Sequence, residues 1–313
     1  MIDQTWLWVG FFIFIIVMLA LDLGVFNRKV HEIKTKEAVI MWLFWVGLAV
    51  IFNVLVWIWY GDQKALEFTT GYVMEEALSV DNMFVFILIF SYFCVPKEVQ
   101  HKVLFWGILG ALLFRGLFIM AGITLVQEFS WVIYIFGAFL IFTAVRMITK
   151  SEKDKVNLND NLMVRLFRKV FPVAEDYHDH KFFIRRNGVL MATPLFVALL
   201  VVESTDIVFA LDSVPAILAI TTDPFIVYTS NAFAILGLRA LYFVLASVIT
   251  LFCYLKYGLA AILAFVGTKM IIAGFGIHIE VFLSLMVIVG VLAVSMGASY
   301  WKYRKLKACP PDL

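Results

Sequence analysis

The chain has 313 residues, of which 63% are hydrophobic and 15% are charged, and its formal net charge is +2. Soluble domains carry about 25% charged residues, so this composition excludes an ordinary soluble protein and predicts an integral membrane protein. In such a protein the distribution of the charges is more informative than their sum. The three cysteines, Cys94, Cys253 and Cys309, show neither metal-site nor disulfide spacing.

Nine apolar stretches of the length of a membrane span follow one another along the chain, since a span needs about 20 apolar residues. We therefore predict an all-α, polytopic membrane protein with about nine transmembrane helices, forming a single transmembrane domain over residues 1–313. The first stretch is too long for a signal peptide, and no small-residue cleavage site follows it. The predicted spans cover residues 6–26, 38–60, 69–92, 102–126, 130–149, 189–219, 229–254, 257–275 and 281–301.

The lysines and arginines predict how these spans are oriented. If the N-terminus is placed outside, 20 basic residues fall on the inside, whereas Lys64 alone falls on the outside. Loops rich in Lys and Arg stay on the cytoplasmic side. We therefore predict that the N-terminus is outside and the C-terminus inside.

One long loop, residues 150–188, falls on the cytoplasmic side. Its segment 161–171 alternates apolar and basic residues at helical spacing, which is typical of a short amphipathic helix on the anionic inner leaflet. A solvated linker helix fits the segment equally well. His178 and His180 flank Asp179 in the same loop, and we interpret them as part of a solvated turn rather than a metal site.

The chain contains a weak internal repeat. Residues 109–118, with Arg115, align with residues 233–242, with Arg239, and about 30 residues later 142–148 align with 265–271. The predicted repeat units are 69–149 and 189–275. Each unit has three spans, so the second enters the membrane from the opposite side. Inverted repeats are typical of secondary transporters, whose site lies at the repeat interface near the midplane; chance similarity between Leu/Phe/Gly-rich helices is the alternative.

Acidic residues stand inside two of the predicted spans. An ionised acid at the bilayer centre costs about 2.5–3.5 kcal/mol, and intramembrane ionisable residues are functional by default. These acids are therefore the first candidates for a functional site. They are Glu75, Glu76 and Asp81 in the third span and Glu203, Asp206 and Asp212 in the sixth.

Helical spacing predicts which of these acids face the same way. Glu203 and Asp206 lie at i and i+3 and share one face, whereas Asp212 lies off that stripe unless Pro215 breaks the helix. Glu75 and Asp81 are also six residues apart, so either the third span unwinds or its acids serve successive positions along a path. Glu76 points about 100° away from Glu75, and we leave it out of the predicted site.

The side chains near these acids supply further oxygen ligands, from Asn82, Ser79 and Ser213. Oxygen-rich sites suit Mg²⁺, Ca²⁺ and Mn²⁺, and Arg115 and Arg239 are the predicted counter-charges of the empty site. Structural acid–arginine pairs and a proton relay without metal are the alternatives. No Walker A, nucleophile or dinucleotide motif is present, so we expect neither an enzyme nor a bound cofactor.

Two asparagines lie in or near other spans, Asn53 in the second and Asn231 at the start of the seventh. Polar side chains in such positions commonly bond across to a neighbouring helix. We therefore predict that both form interhelical hydrogen bonds.

Two motifs resemble the paired signature of the TerC family, and in particular its bacterial Alx-type members. The supporting stretches are 182–188, 223–227, 234–240 and 256–259, so the resemblance covers nearly the whole chain. The motifs read Glu75-x-x-Leu78-x-Val80-Asp81-Asn82 and Glu203-x-x-Asp206-x-x-Phe209-Ala210-x-Asp212-Ser213-x-Pro215.

This resemblance implies a manganese exporter of the bacterial cytoplasmic membrane, from families linked to tellurite resistance and alkaline response. It implies that Glu75, Asp81, Glu203, Asp206 and Asp212 carry the metal path. Other lineages of the family are linked to calcium handling or to the insertion of membrane proteins.

Taken together, the sequence predicts a secondary transporter that exports a divalent cation, most readily manganese, from cytosol to periplasm in exchange for protons. The expected partners are the metal ion and the lipid bilayer, with no nucleic acid. The alternative is a non-transporting membrane factor that aids membrane-protein assembly or stress tolerance, with the acids as structural pairs.

Overall fold

The computed structural model of the protein describes most of the chain. It describes the backbone only for Gln4, Asp81, Arg186, Val248, Tyr303, Lys305 and Leu306. The described residues are 4–21, 33, 35–129, 131–149, 167, 171–174, 181–186, 189–248, 254–277 and 279–306. Within them the chain forms nine α-helices and one β-hairpin. The helices are α1 (Gln4–Leu21), α2 (Thr35–Tyr60), α3 (Asp62–Tyr92), α4 (Lys97–Glu128), α5 (Val132–Thr149), α6 (Pro194–Leu218), α7 (Pro224–Val248), α8 (Leu255–Ala273) and α9 (Val281–Leu306).

Seven of the nine described helices, α2 and α4 to α9, are long and apolar enough to cross a membrane. The apolar part of α1, Thr5–Leu21, is somewhat shorter. Helix α3 has 31 residues, but Glu75, Glu76 and Asp81 set it apart from an ordinary apolar span. The protein is thus an all-α, polytopic membrane protein, as the sequence predicts.

The sixth predicted span was wrong at its beginning. Residues 189–192 belong to a strand, and α6 begins at Pro194. Proline at the first helical position leaves no N–H unsatisfied, and it disfavours the helical conformation for the residue before it. Thr193 accordingly has an extended backbone and precedes the helix as its N-cap.

The hairpin lies directly before α6, where the sequence predicts only a loop. Strands β1 (Phe183–Arg186) and β2 (Val189–Ala192) are antiparallel, and Arg186 pairs with Val189. This register leaves the two residues Asn187 and Gly188 between the strands, and Asn-Gly is the preferred dipeptide of a two-residue hairpin turn. The signal for the hairpin was therefore present in the sequence. Most of the predicted helix 161–171, and the stretch 178–180, lie outside the described residues.

The two predicted repeat units pack against each other reciprocally. Helix α3 packs on α7, α4 packs on α6, and the third helices of the units, α5 and α8, pack on each other. At the last of these crossings a Cβ on Gly137 would lie 2.8 Å from the carbonyl oxygen of Gly267, and a Cβ on Gly267 would lie 2.7 Å from that of Gly137. The first helix of each predicted unit therefore packs on the second helix of the other unit. A two-fold relation between the units would produce this arrangement. It leaves α3, α4, α6 and α7 to enclose the acids.

Both predicted interhelical asparagines bond to a neighbouring helix. Asn53 of α2 donates to the hydroxyl of Thr69 in α3 at 2.8 Å. Asn231 of α7 accepts a hydrogen bond from Arg115 of α4 at 3.1 Å. The first bond joins consecutive helices, whereas the second joins helices far apart in the chain and belongs to the candidate site.

A candidate cation site between the repeat units

A buried guanidinium joins the two units. Arg115 of α4 binds Glu75 of α3 as an ion pair. It also binds Asp206 of α6 through two nitrogens, Nη2 to Oδ1 at 3.1 Å and Nε to Oδ2 at 3.4 Å. Its Nη1 donates to Oδ1 of Asn231 in α7. We call these four residues the central cluster; each is at most 4% exposed.

The two carboxylates of the central cluster occupy equivalent positions in the units. Glu75 stands six residues before Asp81 in α3, and Asp206 stands six residues before Asp212 in α6. Asp206 lies about 18 Å along α6, a helix about 37 Å long at 1.5 Å per residue. The hydrocarbon core of a bilayer is about 30 Å thick, so the central cluster lies near the midplane.

The charges of the central cluster do not balance. One guanidinium faces two carboxylates, so the fully ionised cluster carries a net charge of −1. Buried charges in a membrane are usually paired. The Asn231 amide, which accepts a hydrogen bond from Arg115, and the Ser79 hydroxyl are both neutral, so they cannot supply the missing unit of charge. The hydroxyl of Ser79 lies 3.4 Å from Glu75 Oε1. The cluster therefore has the electrostatic capacity for one more positive charge.

Glu203 lies on the same face of α6 as Asp206, as their spacing predicts. Its carboxylate contacts Gly110 of α4 so closely that a Cβ at that position would overlap it. One turn earlier, Gly107 packs on Val202 of α6, where a Cβ would lie 3.3 Å from the valine side chain. Two glycines of α4 thus make the space in which the Glu203 carboxylate lies.

One carboxylate oxygen of Glu203 is unusual in its surroundings. Oε2 is buried and has no hydrogen-bond partner among the described residues. The same holds for the hydroxyl of Ser213, further along α6. An orphaned acceptor costs free energy in a buried environment, and an oxygen in that state is chemically suited to a cation.

Asp212 does not turn toward the central cluster. Helix α6 continues through Pro215 to Leu218, so the predicted break at the proline is wrong. A proline inside a helix removes one hydrogen bond, and membrane helices tolerate this because their surroundings satisfy the freed groups. Asp212 instead accepts a hydrogen bond from Thr143 of α5 at 2.9 Å.

Adjacent acids of α3 have different partners. Glu75 binds Arg115, whereas Glu76 accepts a hydrogen bond from the hydroxyl of Tyr72 at 2.9 Å. Oε1 of Glu76 also lies near α7, where a Cβ on Gly237 would approach it to 3.4 Å. Leaving Glu76 out of the predicted site agrees with this divergence, which follows from the 100° turn per residue.

The remaining predicted residues lie on the same helices. Asp81 belongs to α3, which is continuous, and its side chain is outside the described part of the structure. Asn82 of α3 is 4% exposed, and Arg239 of α7 is 2% exposed. Because α3 is continuous, the third span is not unwound. Of the two interpretations of the spacing of Glu75 and Asp81, the one that remains places them at successive positions along a path.

The described side chains do not form a compact metal site. Among them, with Asp81 left aside, no three His, Cys, Asp or Glu side chains lie close enough to hold one metal ion. The structure brings Glu75 and Asp206 together, while Glu203 and Asp212 lie on either side of Asp206 along α6. The predicted metal ligands stay a prediction.

Three residues of this region were not predicted to belong to the site. Asn231 was expected only to form an interhelical bond, although it is a partner of Arg115. Thr143 at Asp212 and Gly110 at Glu203 had no signal in the sequence, because each acts through a residue distant in the chain. Threonine and glycine are common in membrane helices, so the residue type alone does not indicate that a position belongs to the site.

Comparison with known proteins places this architecture in a family. The sequence model described as "Integral membrane protein TerC family" matches residues 60–307. A Myxococcus xanthus protein described as "Uncharacterized membrane protein STKORF319" is 51% identical over 306 residues, covering 98% of this chain and 95% of its own.

Two further relatives share the name "Putative membrane-bound redox modulator Alx". The protein from Escherichia coli K12 is 46% identical over 305 residues, which is 94% of each chain. The protein from Salmonella typhi is 44% identical over 316 residues, which is 96% of this chain and 97% of its own. No solved structure matches the chain. The matches confirm the resemblance seen in the acidic motifs, and this chain belongs to the TerC family of integral membrane proteins.

Proposed function

We propose that the protein is a secondary transporter that exports a divalent cation, manganese in the first place, from the cytosol across the bacterial cytoplasmic membrane. The buried Glu203 Oε2, which has no partner among the described residues, carries this proposal. A carboxylate oxygen in that state beside a cluster of net negative charge favours binding of a hard cation.

The ligands in this proposal lie at successive depths. Helix α3 runs inward and α6 outward in the predicted orientation, so Asp81 with Asn82 lies inward of the central cluster and Asp212 lies outward. Each is about 9 Å from the centre along its helix. Glu203 lies about 4.5 Å inward of Asp206. A cation leaving the cytosol would meet Glu203 and Asp81 first, then the carboxylates Glu75 and Asp206, and then Asp212.

Arg115 has a defined role in this cycle. Its guanidinium binds Glu75 and Asp206 in the structure, so it neutralises part of their charge when no metal is bound. An arriving divalent cation competes with the guanidinium for the same oxygens. Arg239 is the proposed second counter-charge, at the corresponding position of unit two. Exchange of the cation for protons on the outer side would reset the acids.

The alternative is a non-transporting membrane factor in which the acids are structural. Its supporting observation is the central cluster itself, because Arg115 bonds to all three other members. A buried network of this kind also fixes helix packing. Replacing the acids by their isosteric amides distinguishes the two functions. The amides preserve the shape of the side chains but remove the charge that binds a cation, so only a transporter should lose its activity.

The experiment measures cellular manganese in cells loaded with Mn²⁺. The variants are Glu203→Gln, Asp206→Asn and Asp81→Asn, compared at equal membrane abundance with the wild type and with Glu98→Gln, an exposed acid of α4. We expect the three site variants to retain manganese and Glu98→Gln to export it normally. Normal export by the three amides would overturn the proposal. Competition by Ca²⁺, Mg²⁺ and Zn²⁺ then reports the selectivity.

A further inference from the structure

A second set of charged residues joins the two units at the outer end of the bundle. Lys64, in the first turn of α3, lies 2.8 Å from Oε2 of Glu67 and 3.2 Å from Oδ2 of Asp223. Asp223 belongs to the connection between α6 and α7. Lys64 and Asp223 are partly exposed, while Glu67 is buried. We call the contact of Lys64 with Asp223 the outer ion pair, and Glu67 lies beside it.

Asp223 forms an ion pair and also caps a helix. Besides binding Lys64, its Oδ1 accepts hydrogen bonds from the backbone N–H groups of Phe225 at 3.0 Å and Ile226 at 3.4 Å. This is the N-cap of α7. The outer ion pair therefore holds the first turn of α7 against α3. Eight residues further along α7, Asn231 holds Arg115, so the same helix joins the outer end to the central cluster.

Between these two points, some small and polar residues of α3 and α7 lie among the apolar ones, and we call this line of contact the seam. Gly71 of α3 faces both Ser230 of α7 and Ile217 of α6, because a Cβ on Gly71 would lie 2.9 Å from the Ser230 hydroxyl oxygen and 2.8 Å from Cδ1 of Ile217. Thr70 and Ser230 are fully buried. Each hydroxyl donates to a carbonyl of its own helix, Leu66 and Val227 respectively. The seam therefore has one buried hydroxyl on each helix beside the apolar Ile217, and these hydroxyl bonds do not tie the two helices together.

The seam has the right direction and length for an outward route. Along α3, Lys64 lies about 16 Å from Glu75, and along α7, Asp223 lies about 12 Å from Asn231. This is about half the thickness of the hydrocarbon core. The seam therefore runs from the membrane midplane to the outer surface, and the ammonium group of Lys64 stands at its end.

We propose that the outer ion pair is the outer gate of the transport route, and that Lys64 is the residue that closes it. This inference rests on the proposed export function and adds the exit route to it. A cation that leaves along the seam is blocked by the contact of Lys64 with Asp223 until the first turn of α7 separates from α3. Partly exposed ion pairs contribute little to stability, so this contact can break in each cycle without cost to the fold.

The gate is tested by the accessibility of the seam, independently of transport. Ser230→Cys, nearly isosteric with serine, is introduced into a chain whose three cysteines are replaced by serine. Its labelling by a membrane-impermeant thiol reagent is measured from outside in spheroplasts. We expect slow labelling when the gate is intact, and a rate about fivefold higher with Lys64→Gln, the shift that follows when a partly exposed ion pair is lost from a two-state equilibrium.

Two further variants sharpen this measurement. Asp223→Asn removes the charge but keeps the helix cap, because asparagine caps as well as aspartate, and it should label as fast as Lys64→Gln. Glu128→Gln changes an exposed acid at the outer end of α4 and should leave labelling slow. Labelling that stays slow in both gate variants, at normal membrane abundance, would overturn the gate, whatever the metal efflux.

A cross-link then connects the gate to transport. The side chains of Lys64 and Asp223 reach across several ångströms, so a bifunctional thiol reagent with a cleavable spacer suits the pair Lys64→Cys/Asp223→Cys better than a direct disulfide. We expect cross-linking to stop manganese efflux and reduction of the spacer to restore it. Full efflux through the cross-linked chain contradicts the gate. If the gate variants label faster but neither they nor the wild type export manganese, the gate is supported and only the proposal of manganese export is contradicted.

Discussion

Glu75 and Asp206 bind one guanidinium from opposite units of the protein, and each stands six residues before an aspartate in its own helix. Equivalent residues of the two units thus meet at Arg115. Since both helices pass the midplane there, the meeting point is the position at which an inverted repeat places its site. The two carboxylates can be held together only because a positive charge lies between them.

Removing Arg115 should therefore destabilise the protein. Arg115→Gln leaves two buried carboxylates without their counter-charge, and breaking a buried ion pair in this way costs about 3–5 kcal/mol. We expect a lower midpoint of thermal denaturation in detergent and less protein in the membrane. The control is Arg146→Gln, because Arg146 lies exposed at the end of α5 and its loss should change neither quantity.

The same prediction has a compensating variant. Arg115→Gln combined with Glu75→Gln and Asp206→Asn replaces all three charges by neutral hydrogen-bonding groups, and the two amides keep the shape of the acids they replace. We expect its thermal midpoint to return toward that of the wild type while manganese export stays absent. A triple variant as unstable as Arg115→Gln alone would show that the arginine stabilises the fold by packing rather than by its charge.

Gly110 should be essential for export although it carries no chemical group. Gly110→Ala places a methyl group where the Glu203 carboxylate lies, so the carboxylate is displaced. Alanine is favoured over glycine in a helix by about 1 kcal/mol, so the fold should be retained. We expect manganese to accumulate in loaded cells at normal membrane abundance of the protein.

A matched glycine in α9 supplies the control for this prediction. Gly290 has open space where a Cβ would be added, and Gly290→Ala should export normally. Combining Gly110→Ala with Glu203→Asp shortens the displaced side chain by one methylene and should restore part of the export. If Gly110→Ala transports as well as Gly290→Ala, the position of the Glu203 carboxylate does not matter for transport.

Much of this site was predictable because its strongest signal is local. Acids inside apolar spans stand out against their neighbours, and the three-residue spacing of Glu203 and Asp206 places both on the face that turns to α4. Arg115 and Arg239 stand out for the same reason. The fold class follows from apolar stretches that are each recognised from residues close together in the chain, so it needed no tertiary information.

The pairing of these residues was not predictable, since it depends on which helices meet. Nothing near Arg115 in the chain shows that it binds both Glu75 and Asp206 rather than one of them. Pro215 predicted a broken helix from a local rule, but neighbouring helices surround that turn of α6 and the helix continues. The partner of Asp212, Thr143, is a residue type that membrane helices contain in many places.

Thr143 should position Asp212 for cation binding. Thr143→Val keeps the shape of the side chain but removes the hydroxyl that donates to the carboxylate. Groups that orient metal ligands typically contribute about 10–100-fold in affinity or activity. We therefore expect manganese efflux to require a roughly tenfold higher internal concentration of the metal.

Two variants distinguish this role from general packing. Thr143→Ser retains the hydroxyl and should behave like the wild type. Thr124→Val removes a hydroxyl of α4 that bonds only to a carbonyl of its own helix, and it should have no effect on efflux. Equal efflux by Thr143→Val and Thr124→Val, measured over a range of manganese concentrations, would assign Thr143 to helix packing.

Replacing all cysteines should leave manganese export intact. The proposed ligands are oxygens, and the three cysteines are spread along the chain, with Cys94 exposed between α3 and α4. A function based on thiol chemistry, in contrast to an oxygen-lined route, would require these sulfurs. The variant Cys94→Ser/Cys253→Ser/Cys309→Ser separates the two roles, and efflux from loaded cells is compared with that of the wild type at equal abundance. Normal efflux is the outcome expected of an oxygen-lined route. Loss of efflux in a well-folded cysteine-free chain would move the search for the functional group from the carboxylates to the thiols, and single replacements would then identify which sulfur is required.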